Sequence, residues 1–233
     1  AFYSNCMVAA NGGNSVVRTF SADVTGSYGN GTCAGSSTGG AISFPDPANN
    51  AANDAFYLIL GNDITGGTCG GGHGVGTGIN RYRFTGTGTT VAYNAGLNRI
   101  AERDWASEAI TAGTDGDGGY WVVAHDRGTS NEFRVWHFTP TGITGPVSYT
   151  PTKPASIGAA NRTDEGGYLK FSPCQDKLAF TGFSGNIIVY AFDRKTGAIG
   201  TQLAVKTSVG HSVGLEFSPD GSKIYYSGQG TIV

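Results

Sequence analysis

A phrase that occurs twice constrains this chain most. "YLKFSPCQDKLAFTG" begins at Tyr168 and "GLEFSPDGSKIYYSG" at Gly214. Each reads as an apolar strand, Ser-Pro, a polar turn and a second apolar strand. Phe171 and Phe217 hold the same slot before Ser-Pro. A second echo joins "YRFTGTG", "WHFTPTG" and "YAFDRKTG", whose Phe84, Phe138 and Phe192 fall at one constant spacing. Each time, an aromatic strand end is followed within a few residues by Thr-Gly. Such periodicity has to be settled before any single motif, because a repeat unit buries its faces against its neighbours rather than alone.

The intervening segments can be laid over one another. One unit reads "SEAITAG", "YWVVAHD", "EFRVWHFTP", "GITGPVSYTP"; the next reads "GYLKFSP", "KLAFTG", "NIIVYAFD", "AIGTQLAVK". An earlier unit reads "GGAISFP", "AFYLILGND", "INRYRFTGT", "GTTVAYNA". In "EFRVWHF", alternation puts Phe133, Val135 and His137 on one face and Arg134, Trp136 and Phe138 on the other. "AGLNRIAERDWASEA" is the nearest thing to a helical stripe and reads as a connecting loop.

Four strands in a repeat of about 40–55 residues are the signature of a β-propeller blade. The expected fold is therefore all-β: a β-propeller of four-stranded antiparallel blades of the WD40 or YVTN kind, part of a six- to eight-bladed ring. It is expected to form one domain or a section of one over 1–233. Full units fall at 37–95, 106–151 and 166–207, with partial units at 1–36 and 213–233. Strands from the two ends could complete one shared blade, but the resulting ring of four is below the usual size. The expectation is thus a section of a longer polypeptide.

Ser-Pro-Asp-Gly is sound turn chemistry, with Pro setting φ and Gly relieving the left-handed position. "SPCQDK" has lost both Asp and Gly, so its turn is expected to be built differently, with Cys174 either recruited to a disulfide or a tolerated variant.

Composition agrees with short strands joined by glycine turns. Gly numbers 39 and charged residues are 14%, yet 39% of residues are hydrophobic, with 12 Phe and 11 Tyr to fill a core. A net charge of −2 and a pI near 6.1 leave no basic footprint for nucleic acid. No run approaches the ~18 apolar residues of a membrane helix, so no membrane insertion is expected. No signal peptide opens the chain, so an exported protein would be represented here by a mature or internal piece. Cys6, Cys33, Cys69 and Cys174 make no CxxC knuckle, and their setting suits an oxidising compartment. They allow three pairings; Cys6 with Cys33 is the one carried forward, against free buried thiols.

Few residues nominate themselves for chemistry. Asp115 and Asp117 in "TDGDGGYW" alternate as calcium ligands do, making Ca²⁺ the only cofactor in view. The third ligand and distal Glu of a calcium loop are missing, and a polar hairpin turn explains the pair better. No HExxH spacing joins His73, His125, His137 and His211. His137 alternates within an apolar strand and is expected in the core. His125 ends a strand and precedes Asp126 and Arg127. On the face carrying that loop and the blade-to-blade links, Arg103, Asp104, Trp105, His125, Asp126, Arg127 and His211 are candidate ligand residues. Asp63, His73 and Glu102 would share that face. Trp stacks on a sugar or peptide while charged groups fix its orientation. Strand-end polar residues that only satisfy loop backbone are the competing reading. No nucleophile elbow or P-loop is present, and "GGGHGVGTG" precedes a strand rather than opening a helix. Asn30 and Asn161 open glycosylation sequons.

The phrases together resemble the N-terminal propeller region of large secreted Bacteroidota proteins with gliding-motility-associated sorting domains. The resemblance spans most of the chain. "AFYSN", "GSSTGGAISFPDP", "YWVVAHD", "GYLKFSP", "VYAFDRKTG" and "VGLEFSPDGSKIYYSG" carry it, while "TGGTCGGGHGVGTG" and "SPCQDK" depart from it. It implies type IX export and an extracellular or outer cell-surface location. The expected function is a non-enzymatic binding or adhesion module for a carbohydrate or surface protein. The alternatives are a propeller enzyme of lactonase, lyase or glycosidase type and a self-associating subunit of an extracellular fibre. Fold alone does not choose among these.

Overall fold

The computed structural model describes residues 2–3, 6–8, 16–19, 41–48, 55–62, 77–85, 92–94, 106–126, 131–152, 167–182, 185–207, 209, 214–228 and 231–232. The described strands form five antiparallel meanders in chain order. The first holds β1 (Phe2–Tyr3), β2 (Cys6–Val8) and β3 (Val16–Thr19). The second holds β4 (Ala41–Pro45), β5 (Ala55–Asn62), β6 (Thr77–Thr85) and β7 (Ala92–Asn94). The third holds β8 (Ala106–Thr114), β9 (Tyr120–Asp126), β10 (Phe133–Thr139) and β11 (Gly142–Tyr149). The fourth holds β12 (Gly167–Phe171), β13 (Lys177–Gly182), β14 (Ile187–Asp193) and β15 (Ala198–Lys206). The fifth holds β16 (Gly214–Phe217), β17 (Ile224–Gly228) and β18 (Thr231–Ile232). The described residues are thus mostly β, with three four-stranded antiparallel sheets among the five. Among the described strands, the first and last sheets are separate three-stranded meanders rather than one shared sheet.

The sheets stack face to face. Strand β8 packs against β4 on one side and β12 on the other, and β12 packs against β16. From the second sheet to the fifth, the first strand of each sheet therefore packs on the first strand of the next. Three apolar seams fill the gaps. Phe44 meets Ile110, Val122, Trp136 and Phe138 between the second and third sheets. Trp121, Val123, Phe133 and Val135 meet Leu169, Leu178, Phe180 and Tyr190 between the third and fourth. Ala179, Ile187 and Val189 meet Leu215 and Phe217 between the fourth and fifth. Strand β10 shows why alternation alone specifies this. Phe133 and Val135 enter one seam, Trp136 and Phe138 the other, so both faces of its sheet are buried. Each such large apolar side chain contributes up to roughly 1.5–3 kcal/mol on burial.

The two Ser-Pro turns share one frame, against the expectation that "SPCQDK" is built differently. At the first, the Ser172 N–H donates to the Lys177 carbonyl (3.0 Å) and the Gln175 N–H to the Ser172 carbonyl (2.8 Å). At the second, Ser218 N–H to Lys223 carbonyl (2.9 Å) and Gly221 N–H to Ser218 carbonyl (2.8 Å) repeat the pattern. Gln175 takes the left-handed position at φ 57°, where the second turn has Gly221 at φ 67°. Cys174 is free and exposed, so it is a turn variant and not a disulfide partner.

Candidate functional site

The third and fourth sheets each have two ends. The hairpin end carries the β8–β9, β10–β11, β12–β13 and β14–β15 turns. The loop end carries the β9-to-β10 and β13-to-β14 connections and the links to the next sheet.

At the loop end, β9 places His125 in the seam rather than on the surface. The ring is 0% exposed, stacks on Phe180 at 4.1 Å and meets the edge of Phe133 at 4.6 Å. Asn131 closes the arrangement from a left-handed backbone (φ 56°) that Asn tolerates better than most residues. Its Nδ2 donates to the Pro151 carbonyl at 2.8 Å and to the Tyr190 hydroxyl at 3.3 Å. Its Oδ1 then faces His125 Nε2 at 3.4 Å, so Nε2 is the donor in this contact. One amide thus ties β9, the segment after β11 and β14 of the next sheet. Ligand from solvent has no direct access to His125.

The other loop-end candidates are placed less fully. Arg103, Asp104, Trp105, Arg127 and His211 lie outside the described residues, as do Asp63, His73, Glu102, Cys33 and Cys69. Asp126 closes β9, and its side chain is outside them too. Cys6 stands in β2 opposite Tyr3 and Thr19, with its side chain likewise outside.

At the hairpin end, Asp115 gathers groups far apart in sequence. Its Oδ1 accepts from the Asp117 N–H (2.7 Å) and the Gly119 N–H (2.8 Å), while Oδ2 pairs with His137 Nε2 at 2.8 Å. Burial pushes the Asp115 carboxyl up, but the His137 hydrogen bond and the two backbone donors outweigh it and hold it below the usual range. Asp117 is exposed. The geometry is that of a turn with a histidine clamp, and both Asp115 oxygens are engaged by the protein itself. Among the described residues, no three His, Cys, Asp or Glu side chains gather as a metal site.

His137 corrects the expectation of a core histidine: its side chain is 25% exposed. It stacks on Trp121 (3.7 Å, 14° between planes), its direct cross-strand partner. Trp121 Nε1 donates to the Arg194 carbonyl at 2.7 Å in the β14–β15 turn. Gly197 lies against the indole so closely that a Cβ there would sit 2.5 Å from it. The indole is therefore held between His137 and the turn backbone and has no free face for a ligand.

The motifs nominated neither Asn131 nor Tyr190, and they did not join Asp115 to His137. Residues 22 positions apart meet only once β8, β9 and β10 have paired. A polar residue just before an apolar strand was the one local signal for Asn131.

No protein-family model matches the chain, and no curated protein matches it. Solved structures of similar shape include a candidate 6-phosphogluconolactonase of Bacteroides fragilis, at 8% identity and a TM-score of 0.48 over 80% of this chain and 51% of that one. A lectin from Burkholderia pseudomallei aligns at 13% identity and a TM-score of 0.41, over 70% of this chain and 41% of that one. The periplasmic gluconolactonase of Pseudomonas aeruginosa aligns at 14% identity and a TM-score of 0.42, over 74% and 61%. The chain thus spans about two-fifths to three-fifths of these structures' length. At these identities and TM-scores the similarity assigns no activity.

Proposed function

We propose that the chain is a section of a β-propeller that serves as a non-enzymatic binding module, displayed outside the cell or on its outer surface. The stacking of successive four-stranded sheets along their first strands supports the propeller reading. The resemblance in its phrases supports export by the type IX route and a carbohydrate or surface protein as ligand. The observation that supports a binding rather than a catalytic role for the hairpin end is that carboxylates described there are taken up by the turns. Asp115, Asp176, Asp193 and Asp220 are each held below the usual range as hydrogen-bond acceptors within turns. These four carboxylates serve their own turns as acceptors. The candidate ligand surface is the loop end, with Arg103, Asp104 and Trp105 as its aromatic and charged grip.

The fibre alternative needs open strand edges. Two of the outer strands are not flat: β11 carries a register shift against β10, and β15 carries two against β14. Bulges bend an edge away from further pairing.

The test is binding on a glycan array, and to immobilised outer-surface protein, for wild type and for Trp105→Ala and Arg103→Ala variants whose circular dichroism is unchanged. Saturable binding lost in either variant is the expected result. Turnover of a lactone or glycoside panel by the same preparation, without stable binding, would replace this reading with the enzyme one. Sedimentation showing concentration-dependent growth beyond a dimer would favour the fibre.

A further inference from the structure

We infer that the far face of the fifth sheet, centred on Tyr225, is the docking face for a further sheet of the same repeat, carried by the same longer polypeptide. This rests on the reading of the chain as a section of a propeller and names the partner of one seam.

Three second strands can be compared on the face that looks toward the following sheet. In the third sheet, Val123 of β9 enters the seam with the fourth and is 0% exposed. In the fourth, Ala179 of β13 lies opposite Lys170 of β12, enters the seam with the fifth and is again 0% exposed. In the fifth, Tyr225 of β17 lies opposite Glu216 of β16. Lys170 and Glu216 each precede the phenylalanine of a Phe-Ser-Pro turn, so Ala179 and Tyr225 hold the same place in their sheets. Ile224 and Tyr226 pack toward the fourth sheet, so alternation turns Tyr225 the other way. There it is 51% exposed. A position that the next sheet covers completely in its two counterparts thus holds a large aromatic side chain standing half in water.

The covered seams show what fits such a face. The fourth sheet presents Leu169 and Phe171 of its first strand to the third, and the fifth presents Leu215 and Phe217 to the fourth. By continuity, the sheet over Tyr225 presents a first strand of the same Leu-x-Phe kind. Charge on this face does not oppose it. Lys170 stays 38% exposed although the fifth sheet packs on β12, and its Nζ meets Glu216 at 3.0 Å. Glu216, at the matching place and 63% exposed, can likewise keep its carboxylate in water while Tyr225 is covered.

The test is tyrosine nitration with peptide mapping, on the native polypeptide and on the isolated 233-residue chain. The exposed Cys174 thiol, labelled in both, controls for folded access. Tyr225 is expected to react in the isolated chain and to react about tenfold or more slowly in the native polypeptide, as burial of a large side chain requires. Tyr225→Lys is expected to leave the unfolding midpoint of the isolated chain unchanged and to lower that of the native polypeptide. Should the isolated chain not stay folded, the comparison is made within the native polypeptide, before and after unfolding in urea. Equal reactivity overturns the docking and marks the face as open to solvent. Protection in the isolated chain that grows with its concentration overturns it in favour of a second copy. A native mass near the 24.0 kDa of this chain removes the section reading and the docking together, whereas a larger mass with Tyr225 reactive removes the docking alone.

Discussion

The turns at Ser172–Lys177 and Ser218–Lys223 differ in their inner residues, with Cys174, Gln175 and Asp176 in one where Asp220, Gly221 and Ser222 stand in the other. Both nevertheless give a buried serine the same two jobs. Its hydroxyl donates to an aspartate, at 2.7 Å from Ser172 to Asp176 and 2.6 Å from Ser218 to Asp220. Its oxygen also accepts the lysine N–H, at 3.1 Å from Lys177 and 2.9 Å from Lys223. The acid has moved two places along the chain without leaving the serine. The left-handed position has passed from glycine to glutamine without changing the turn. What the fold requires here is a carboxylate within reach of the hydroxyl and one positive φ, and more than one local sequence supplies them.

The comparison breaks most visibly at the serines. Ser172→Ala and Ser218→Ala each leave a part-buried backbone donor without its acceptor, and each should cost about 1 kcal/mol by urea denaturation. Ser222 also holds Asp220 through its hydroxyl and N–H, so the Ser218 variant should be the milder of the two. A harsher Ser218 variant would mean that the turns are not equivalent.

Exchanging the φ-positive residues comes next. Gly221→Gln should destabilise by about 1 kcal/mol, since its Cβ would meet only ordinary contacts and the cost is the left-handed backbone alone. Gln175→Gly should change stability by less than about 1 kcal/mol, because relief at φ 57° is offset by the freedom glycine loses on folding. A clear loss in Gln175→Gly would show that the glutamine side chain is itself needed.

The carboxylates sharpen the comparison without moving stability much. The Ser218 hydroxyl and the Ser222 groups bring Asp220 down to about 2, and the Ser172 hydroxyl and Lys177 hold Asp176 below the usual range. Each contributes above the ordinary value and loses that contribution as pH falls through its folded one. NMR titration should place the Asp220 midpoint near that figure, and Ser218→Ala should raise it. The smallest effect belongs to Cys174→Asp, within about 0.5 kcal/mol at an exposed site. The native thiol should react with a water-soluble reagent without unfolding.

Two histidines show where reading along the chain stopped. His137 sits in an alternating apolar strand, which places it in a core, yet it lies at the hairpin end where Asp115 and solvent reach it. His125 ends a strand beside Asp126 and Arg127, which places it at a surface, yet the fourth sheet brings Phe180 down over it. Alternation assigns a side chain to a face, but the neighbouring sheet decides whether that face is covered. Arg103, Asp104 and Trp105, which lie outside the described residues, rest on the same local logic as a proposal for the loop end.

By itself the sequence determined the strands, their antiparallel order and the paired faces of β10, because period-two alternation and turn residues act over a few neighbouring positions. Only the tertiary structure decided that Asp115 would meet His137, that Asn131 would reach Pro151 and Tyr190, and that the acid of one turn would stand in for that of another. Each of these depends on how whole sheets stack, and stacking distances are set by the summed packing of many side chains rather than by any local run of residues.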